Sequence, residues 1–325
     1  MLSNQNFEDI KAYLEKASWP PHSDSWYYAG VESKFNKGMH TVDLLNNKLM
    51  IFKNEQNQLV ALQRNCLHMH ADLSKGKFSK SEFTCPMHGW KYTSKGVCKH
   101  IQTAQQLKEY PLEVVMGHVF VYCGSESNYY PFPKFDISEE RLVMSKRTIN
   151  IESNVPWFML GGNGFDLHHF YTVHFREIMS EPIINLKSKN RIQTDLVFKN
   201  IGTHIYDRIL RFFYGSKLEL NYEVAGANIV LAIAKISKKN NYMFFCIQPD
   251  ATGRSDIYLF FLKEKSAIPL LDTISLFIRR IFIKRFFQEE LDSVKELTLL
   301  PERLTEHDLF LMRYLKLTHE SITKK

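Results

Sequence analysis

The sequence predicts an α+β chain in two parts: a small all-β domain, then a curved antiparallel sheet gripping a long C-terminal helix. Three observations carry this. From Ser25 to about Cys123 the apolar residues come in short β-type runs separated by Gly, Asn and Lys turns, as a small antiparallel domain requires. Five further strand-type runs follow one another between Thr194 and Leu262. Two helical stretches then close the chain, about Ala267–Leu300 and Glu306–His319. A length of 325 residues suffices for about two cores.

Taken in order, residues 1–25 form an N-terminal extension: a short helix from Phe7 to Leu14, then a turn at Trp19-Pro20-Pro21-His22-Ser23. The first domain, 26–135, has strands at Trp26–Gly30, Lys48–Phe52, Leu59–Leu62 and Gly117–Tyr122. Its last stretch, Asn128–Phe135, contains Tyr129, Tyr130, Pro131 and Pro133 and reads as a linker. The second domain, 136–325, opens with a helix over Trp157–His174 and continues with strands near Thr194–Phe198, Leu218–Val224, Ile229–Ile236, Tyr242–Ile247 and Asp256–Leu262.

Composition narrows the function classes. The chain is 44% hydrophobic and 24% charged, as ordinary globular proteins are. Its net charge of +7 comes from scattered Lys and Arg with no aromatic-interleaved basic face, which argues against nucleic acid. A basic surface that receives an acidic electron-transfer partner fits better, beside the plain alternative of a solvated basic surface. Of five Cys, Cys98, Cys123 and Cys246 lack framework spacing, which favours a reducing, cytoplasmic setting with buried thiols. The first residues carry acids and no apolar core, unlike a signal peptide. The most apolar helical stretch, Ile268–Phe287, contains Pro269, Asp272, Arg279, Arg280, Lys284 and Arg285 and does not span a membrane. A core-facing amphipathic helix is the favoured reading, and membrane contact through its Ile/Phe face the weaker one.

Two short loops each offer one thiolate and one imidazole. Cys66-Leu67-His68 is followed, after sixteen residues, by Cys85-Pro86-Met87-His88. This set suits a two-iron, two-sulfide cluster with two Cys on one iron and two His on the other, a ligation that raises the potential above that of an all-Cys cluster. A structural zinc ion is the rival, since Cys2His2 also closes a tetrahedron. Zinc fingers, however, place both Cys in one knuckle and both His on a helix, whereas here each loop mixes the two.

About eighty residues later, Asn163-Gly164-Phe165-Asp166-Leu167-His168-His169-Phe170-Tyr171-Thr172-Val173-His174 reads as N-x2-D-x2-H-x4-H. On a helix His169 and His174 would stand about 140° apart, able to converge on one ion. Asp166, three residues before His169, would accept that histidine's second N–H. Alone the spacing is weak, because a helical His is more often structural. His168 reads as a core or supporting residue, and core packing is the better account of Phe170 and Tyr171.

The stretches Asn65–Gly76 and Cys85–Tyr92 resemble the two cluster-binding loops of Rieske proteins, and the second motif resembles the mononuclear iron site of Rieske non-haem iron oxygenases. With Trp26-Tyr27 and Tyr110-Pro111, the chain looks most like the small oxygenases of the O-demethylase and steroid-hydroxylase group. The resemblance implies a Rieske [2Fe-2S] domain followed by a helix-grip catalytic domain. It implies Cys66, His68, Cys85 and His88 as cluster ligands, and His169 and His174 as ligands of a ferrous ion. The third iron ligand would come from the C-terminal helix, where relatives supply Asp. Helical phase favours Glu290, which falls on the Phe287/Val294 face, with Asp292 as the alternative.

The resemblance also implies an oxygenase that uses O2 and electrons from NAD(P)H, delivered through a ferredoxin or flavin reductase, on a small apolar substrate. It would hydroxylate, demethylate or oxidatively cyclise that substrate. Relatives form head-to-tail trimers, in which Asp166 would bridge His88 of the partner subunit to His169, with Asn163 in the same segment. The alternative is an electron carrier or binding protein with a degenerate iron site.

Overall fold

The computed structural model describes residues 7–100, 105–145, 148–203, 208, 211–212, 215–236, 239–294 and 297–323, without the side chains at 236, 239, 282, 285, 286, 289, 290, 292 and 293. The chain divides into two compact units, Asp24–Phe132 and a second made of Met1–Ser23 with Pro133–Lys325.

In the first unit the apolar run Leu49-Met50-Ile51-Phe52 forms the centre of the strand Asn47–Lys53 and is buried on both faces. Side chains alternate across a strand, so the run feeds two cores. Leu49 and Ile51 pack with Tyr27, Phe35, Val119 and Val121. Met50 and Phe52 pack with Phe83, Tyr92, Leu107 and the two motif cysteines. Three small antiparallel sheets surround these cores. The stretch read as a linker is packed rather than loose up to Phe132: Tyr130 and Phe132 are buried. The Trp26 indole donates to the Tyr130 carbonyl at 3.0 Å, and the Tyr130 hydroxyl lies 2.6 Å from Ser25 Oγ.

The second unit is built on a nine-stranded antiparallel sheet. Its long strands, Arg191–Asn200, Lys217–Ala225, Ile229–Ile236, Lys239–Pro249 and Ser255–Glu264, pair in sequence order. Short strands the sequence did not disclose extend both sides: Arg176–Ile178 and Ile183–Ser188 at one, Leu142–Met144 and Ile149–Ser153 at the other. The N-terminal segment is part of this core. Ile10 and Leu14 are buried in it, Trp19 stacks on Phe158 at 3.7 Å, and Tyr13 Oη meets His319 Nδ1 at 2.8 Å.

Two sequence expectations need correction. The helix expected over Trp157–His174 is broken into Trp157–Leu160, a tight turn at Gly161–Phe165, and Leu167–Thr172. Three glycines in four residues weaken a helix there, and packing requires them: a Cβ at Gly164 would overlap the Tyr222 ring, and one at Gly161 would come within 2.7 Å of Tyr314 Oη. The second correction concerns Pro269–Val294, where the apolar pattern favours a core-facing amphipathic helix. Asp272, Leu276 and Leu291 are buried, yet Leu270, Leu271, Ile274, Phe277, Ile278 and Ile281 are exposed. One side of this helix is covered, and an apolar stripe on another side is left exposed.

Candidate metal centres

The two motif loops of the Asp24–Phe132 unit fold alike. In each, the Cys N–H donates to the carbonyl five residues on, Cys66 to Ala71 at 2.9 Å and Cys85 to Trp90 at 2.7 Å. The residue four on donates back to the Cys carbonyl, His70 at 3.0 Å and Gly89 at 3.2 Å. That closing residue lies in the left-handed region in both loops, at φ +55° for His70 and +69° for Gly89. Each turn reverses tightly, so the Cys stays at its base and the His reaches its tip. Cys66 and Cys85 are accordingly 1% and 3% exposed, while His68 and His88 are exposed. The Nδ1 atoms of His68 and His88 are 3.2 Å apart, and Trp90 stacks on the His68 ring at 4.6 Å.

The Tyr92 hydroxyl lies 3.0 Å from Cys66 Sγ and accepts the Leu67 N–H at 3.1 Å. Burial, and then its hydrogen bond to Cys66, pushes the phenol pKa above its ordinary value, so the group stays a proton donor. The sequence motif includes Tyr92 at the end of the second loop without giving it a role. The signal that could have found it is alternation: it points inward from the strand Lys91–Thr93, beside buried Phe83.

In the second unit, His169 is in the short Leu167–Thr172 helix and His174 is past its end. The Val173 N–H donates to the His169 carbonyl at 2.9 Å, so the backbone stays helical up to His174, and the two Nε2 atoms are 3.0 Å apart. Asp166 caps this helix, its Oδ1 accepting the His169 N–H at 2.9 Å. His168 is exposed and stacks on His307, and Tyr171 is 55% exposed, so neither is a core residue.

His169, His174, Asp166 and Asn163 open on a cavity of about 580 Å³. Its walls are mostly aliphatic and aromatic, among them Leu220, Met243, Phe245, Phe287 and Leu291, with Arg176 and Arg303 as cationic side chains in its lining. Nothing in the sequence pattern marks these two arginines. Phe170 also lines it. Glu290 and Asp292 lie in the Pro269–Val294 helix, but their side chains are outside the described residues.

Both nitrogen pairs fit metal ions. Imidazole nitrogens about 2.1 Å from a first-row ion, as adjacent ligands, stand roughly 3 Å apart. Among the described residues no three His, Cys, Asp or Glu side chains converge on one point. A tetrahedral zinc ion would draw all four motif ligands to one centre; a two-iron cluster asks for pairs.

A family model described as the Rieske [2Fe-2S] domain matches residues 25–111. The oxygenase component of 3-ketosteroid-9-alpha-monooxygenase from Mycolicibacterium smegmatis is 27% identical over 176 residues, 47% of this chain and 43% of that protein. Cholesterol 7-desaturase nvd from Drosophila melanogaster is 24% identical over 174 residues, 50% of this chain and 40% of that protein. The chain thus spans less than half the length of the curated relatives it matches. Among solved structures, Pseudomonas putida CBB5 NdmA with caffeine aligns over 97% of this chain and 96% of its own, with a TM-score of 0.66 at 16% identity. Dicamba monooxygenase bound to dicamba aligns over 93% and 99%, with a TM-score of 0.57 at 13% identity. At such identities the likeness is one of fold: a Rieske domain of small antiparallel sheets, followed by a large antiparallel sheet with helices.

Proposed function

We propose that this chain, which belongs to the Rieske non-haem iron oxygenases, is a terminal oxygenase that hydroxylates, demethylates or oxidatively cyclises a small apolar molecule. The observation that carries this reading is the pair of Nε2 atoms, 3.0 Å apart, at the wall of an apolar cavity. Cys66, Cys85, His68 and His88 would hold the [2Fe-2S] cluster. His169 and His174 would hold the ferrous ion, with a carboxylate as third ligand.

Helical phase supports Glu290 for that carboxylate. Phe287, Leu291 and Val294 line the cavity and mark the inward arc of their helix. At 100° per residue, Glu290 is about 70° from the centre of that arc and Asp292 about 130°. When bound, the two metal groups supply one-electron delivery and reductive activation of O2.

The chain's own residues do the rest. The leucine and phenylalanine walls hold an apolar substrate beside the histidines and keep water out. Tyr92, whose hydroxyl lies 3.0 Å from the Cys66 sulfur, would donate to it once Cys66 is a cluster thiolate. Asp166 orders the helix that carries His169. The exposed His68/His88 tip suits electron exchange with a reductase or with a neighbouring subunit. In a head-to-tail trimer, Asp166 would link that tip to His169. Cysteines none of which forms a disulfide suit a reducing, cytoplasmic compartment. The cavity's size and apolar lining support a fused-ring substrate, such as the steroids named in two of the relatives.

The test is to load the protein anaerobically, count iron, and screen apolar substrates for NADH and O2 consumption with a surrogate reductase. About three irons per chain and substrate-dependent O2 uptake are expected. Two irons with no uptake would favour an electron carrier with a degenerate second site.

A further inference from the structure

The helix Pro269–Val294 leaves a large apolar surface uncovered. Leu270, Leu271, Ile274, Phe277, Ile278 and Ile281 are 67%, 52%, 47%, 62%, 47% and 56% exposed, and the preceding Ile268 is 54% exposed. At 100° per residue the six helical positions fall within an arc of about 120°, in a stripe roughly 17 Å long. Together these side chains expose on the order of 600 Å², at the upper end for a patch on a monomer. Asp272 and Leu276 lie on the opposite side of the helix and are buried.

Within the segment that carries the stripe, the exposed charge has one sign. Exposed Lys284 lies at its edge by helical phase, and half-buried Arg279 and Arg280 lie further round. Asp272 is the only acid between residues 265 and 288, and it is paired with Lys263 on the covered side. An apolar stripe with a cationic flank and no exposed acid within the segment matches an anionic bilayer surface, which offers hydrocarbon below a layer of negative headgroups. Among the described residues no helix is long and apolar enough to cross a membrane, so the geometry is that of lying in the interface.

We infer that the Ile268–Ile281 stripe docks this protein on anionic lipid bilayers. The same helix continues to Phe287, Leu291 and Val294, which line the cavity. Under the proposed function, an apolar substrate dissolved in the bilayer would therefore meet the enzyme at the element that leads to its binding site. That route rests on the proposed function; the docking does not.

The experiment is sedimentation of the full, cluster-loaded chain with vesicles of phosphatidylcholine alone or with about 30% phosphatidylglycerol. Binding to the anionic vesicles is expected, weakened at least tenfold by F277E/I281E and by raising salt. The visible spectrum of the cluster checks that the double variant is folded. Because binding is read without turnover, it is independent of whether the chain proves to be an oxygenase. Absence of binding to either vesicle overturns the inference, as does equal binding by the double variant. A wild-type oligomer that the variant converts to monomer, without lipid binding, would assign the stripe to a second copy of the chain and also overturn it.

Discussion

The Nε2 atoms of His169 and His174 stand 3.0 Å apart although the helix carrying the first ends at Thr172, before the second. Asp166, at the other end of the same helix, fixes its start through the His169 N–H. The five-residue spacing is therefore spanned by a capped six-residue helix and by Val173, which keeps helical backbone angles beyond its end.

Asp166→Asn separates the cap from the charge. Asn caps a helix about as well as Asp, so the histidine pair and both metals should be retained. Coupled turnover should fall by more than the roughly 10–100-fold usual for residues that support a metal ligand. Iron content and product formed per electron measure the two effects. Full turnover in this variant would leave Asp166 only its structural role.

Tyr92→Phe removes a hydroxyl that touches Cys66 Sγ and Leu67 N and leaves the ring in its core. Hydrogen bonds to cluster sulfurs raise the reduction potential. One charge-assisted bond of about 1.5 kcal/mol corresponds to a fall on the order of 60 mV. Redox titration of the variant reads this directly, and an unchanged potential would show that the hydroxyl does not act on the cluster.

The two matching Cys/His loops and the adjacent His169 and His174 were legible because they are side-chain types at short, informative spacings. The long strands were legible because β-rich runs such as Ile229–Ile236 survive as strands. The close packing of Tyr222 and Tyr314 on Gly164 and Gly161 was not, since those tyrosines lie far away in sequence. The exposed stripe on Pro269–Val294 was hidden for a similar reason. Apolar spacing identifies a helix face but not whether another element covers it. The two arginines of the cavity, Arg176 and Arg303, come from a strand and a turn more than a hundred residues apart.

Two glycines of the cluster loops should differ when changed to alanine. A Cβ at Gly76 would overlap the Thr84 carbonyl, a backbone group held in a strand, whereas one at Gly89 meets nothing within 4 Å. Gly76→Ala should cost about 3 kcal/mol by overpacking. Gly89→Ala should cost about 1 kcal/mol for its left-handed backbone alone. Urea midpoints followed by loss of the cluster absorbance would rank them; the reverse order would contradict the close approach at Gly76.

Asp272 ties the start of the long helix to Lys263 and to the Ser266 N–H. Hydrogen bonds from these groups hold its carboxyl down to about 2, against an ordinary value of about 3.9. A depressed carboxylate contributes stability that is complete above about pH 4 and is lost as pH falls through 2. Wild type should therefore melt above Asp272→Asn by a constant margin from pH 5 to 8, and the margin should close between pH 4 and 2. A margin unchanged down to pH 2.5 would mean that the carboxylate's charge is not what holds the helix.

The carboxylate of the proposed iron site can be assigned by metal content. Phe287, Leu291 and Val294 face the cavity, and helical phase brings Glu290 nearer to their arc than Asp292. Two histidines alone hold a ferrous ion weakly, because a facial site needs its third, charged ligand. Glu290→Ala should therefore lose the mononuclear iron, falling from about three irons per chain to about two, with the visible spectrum of the cluster intact. Asp292→Ala should keep all three. Glu290→Gln separates charge from shape, since it retains the length of the side chain and one oxygen donor while removing the negative charge. Retention of the third iron in Glu290→Ala and its loss in Asp292→Ala would place the ligand on the other side of the helix and require the helix to turn about its axis relative to the arc marked by Phe287 and Leu291.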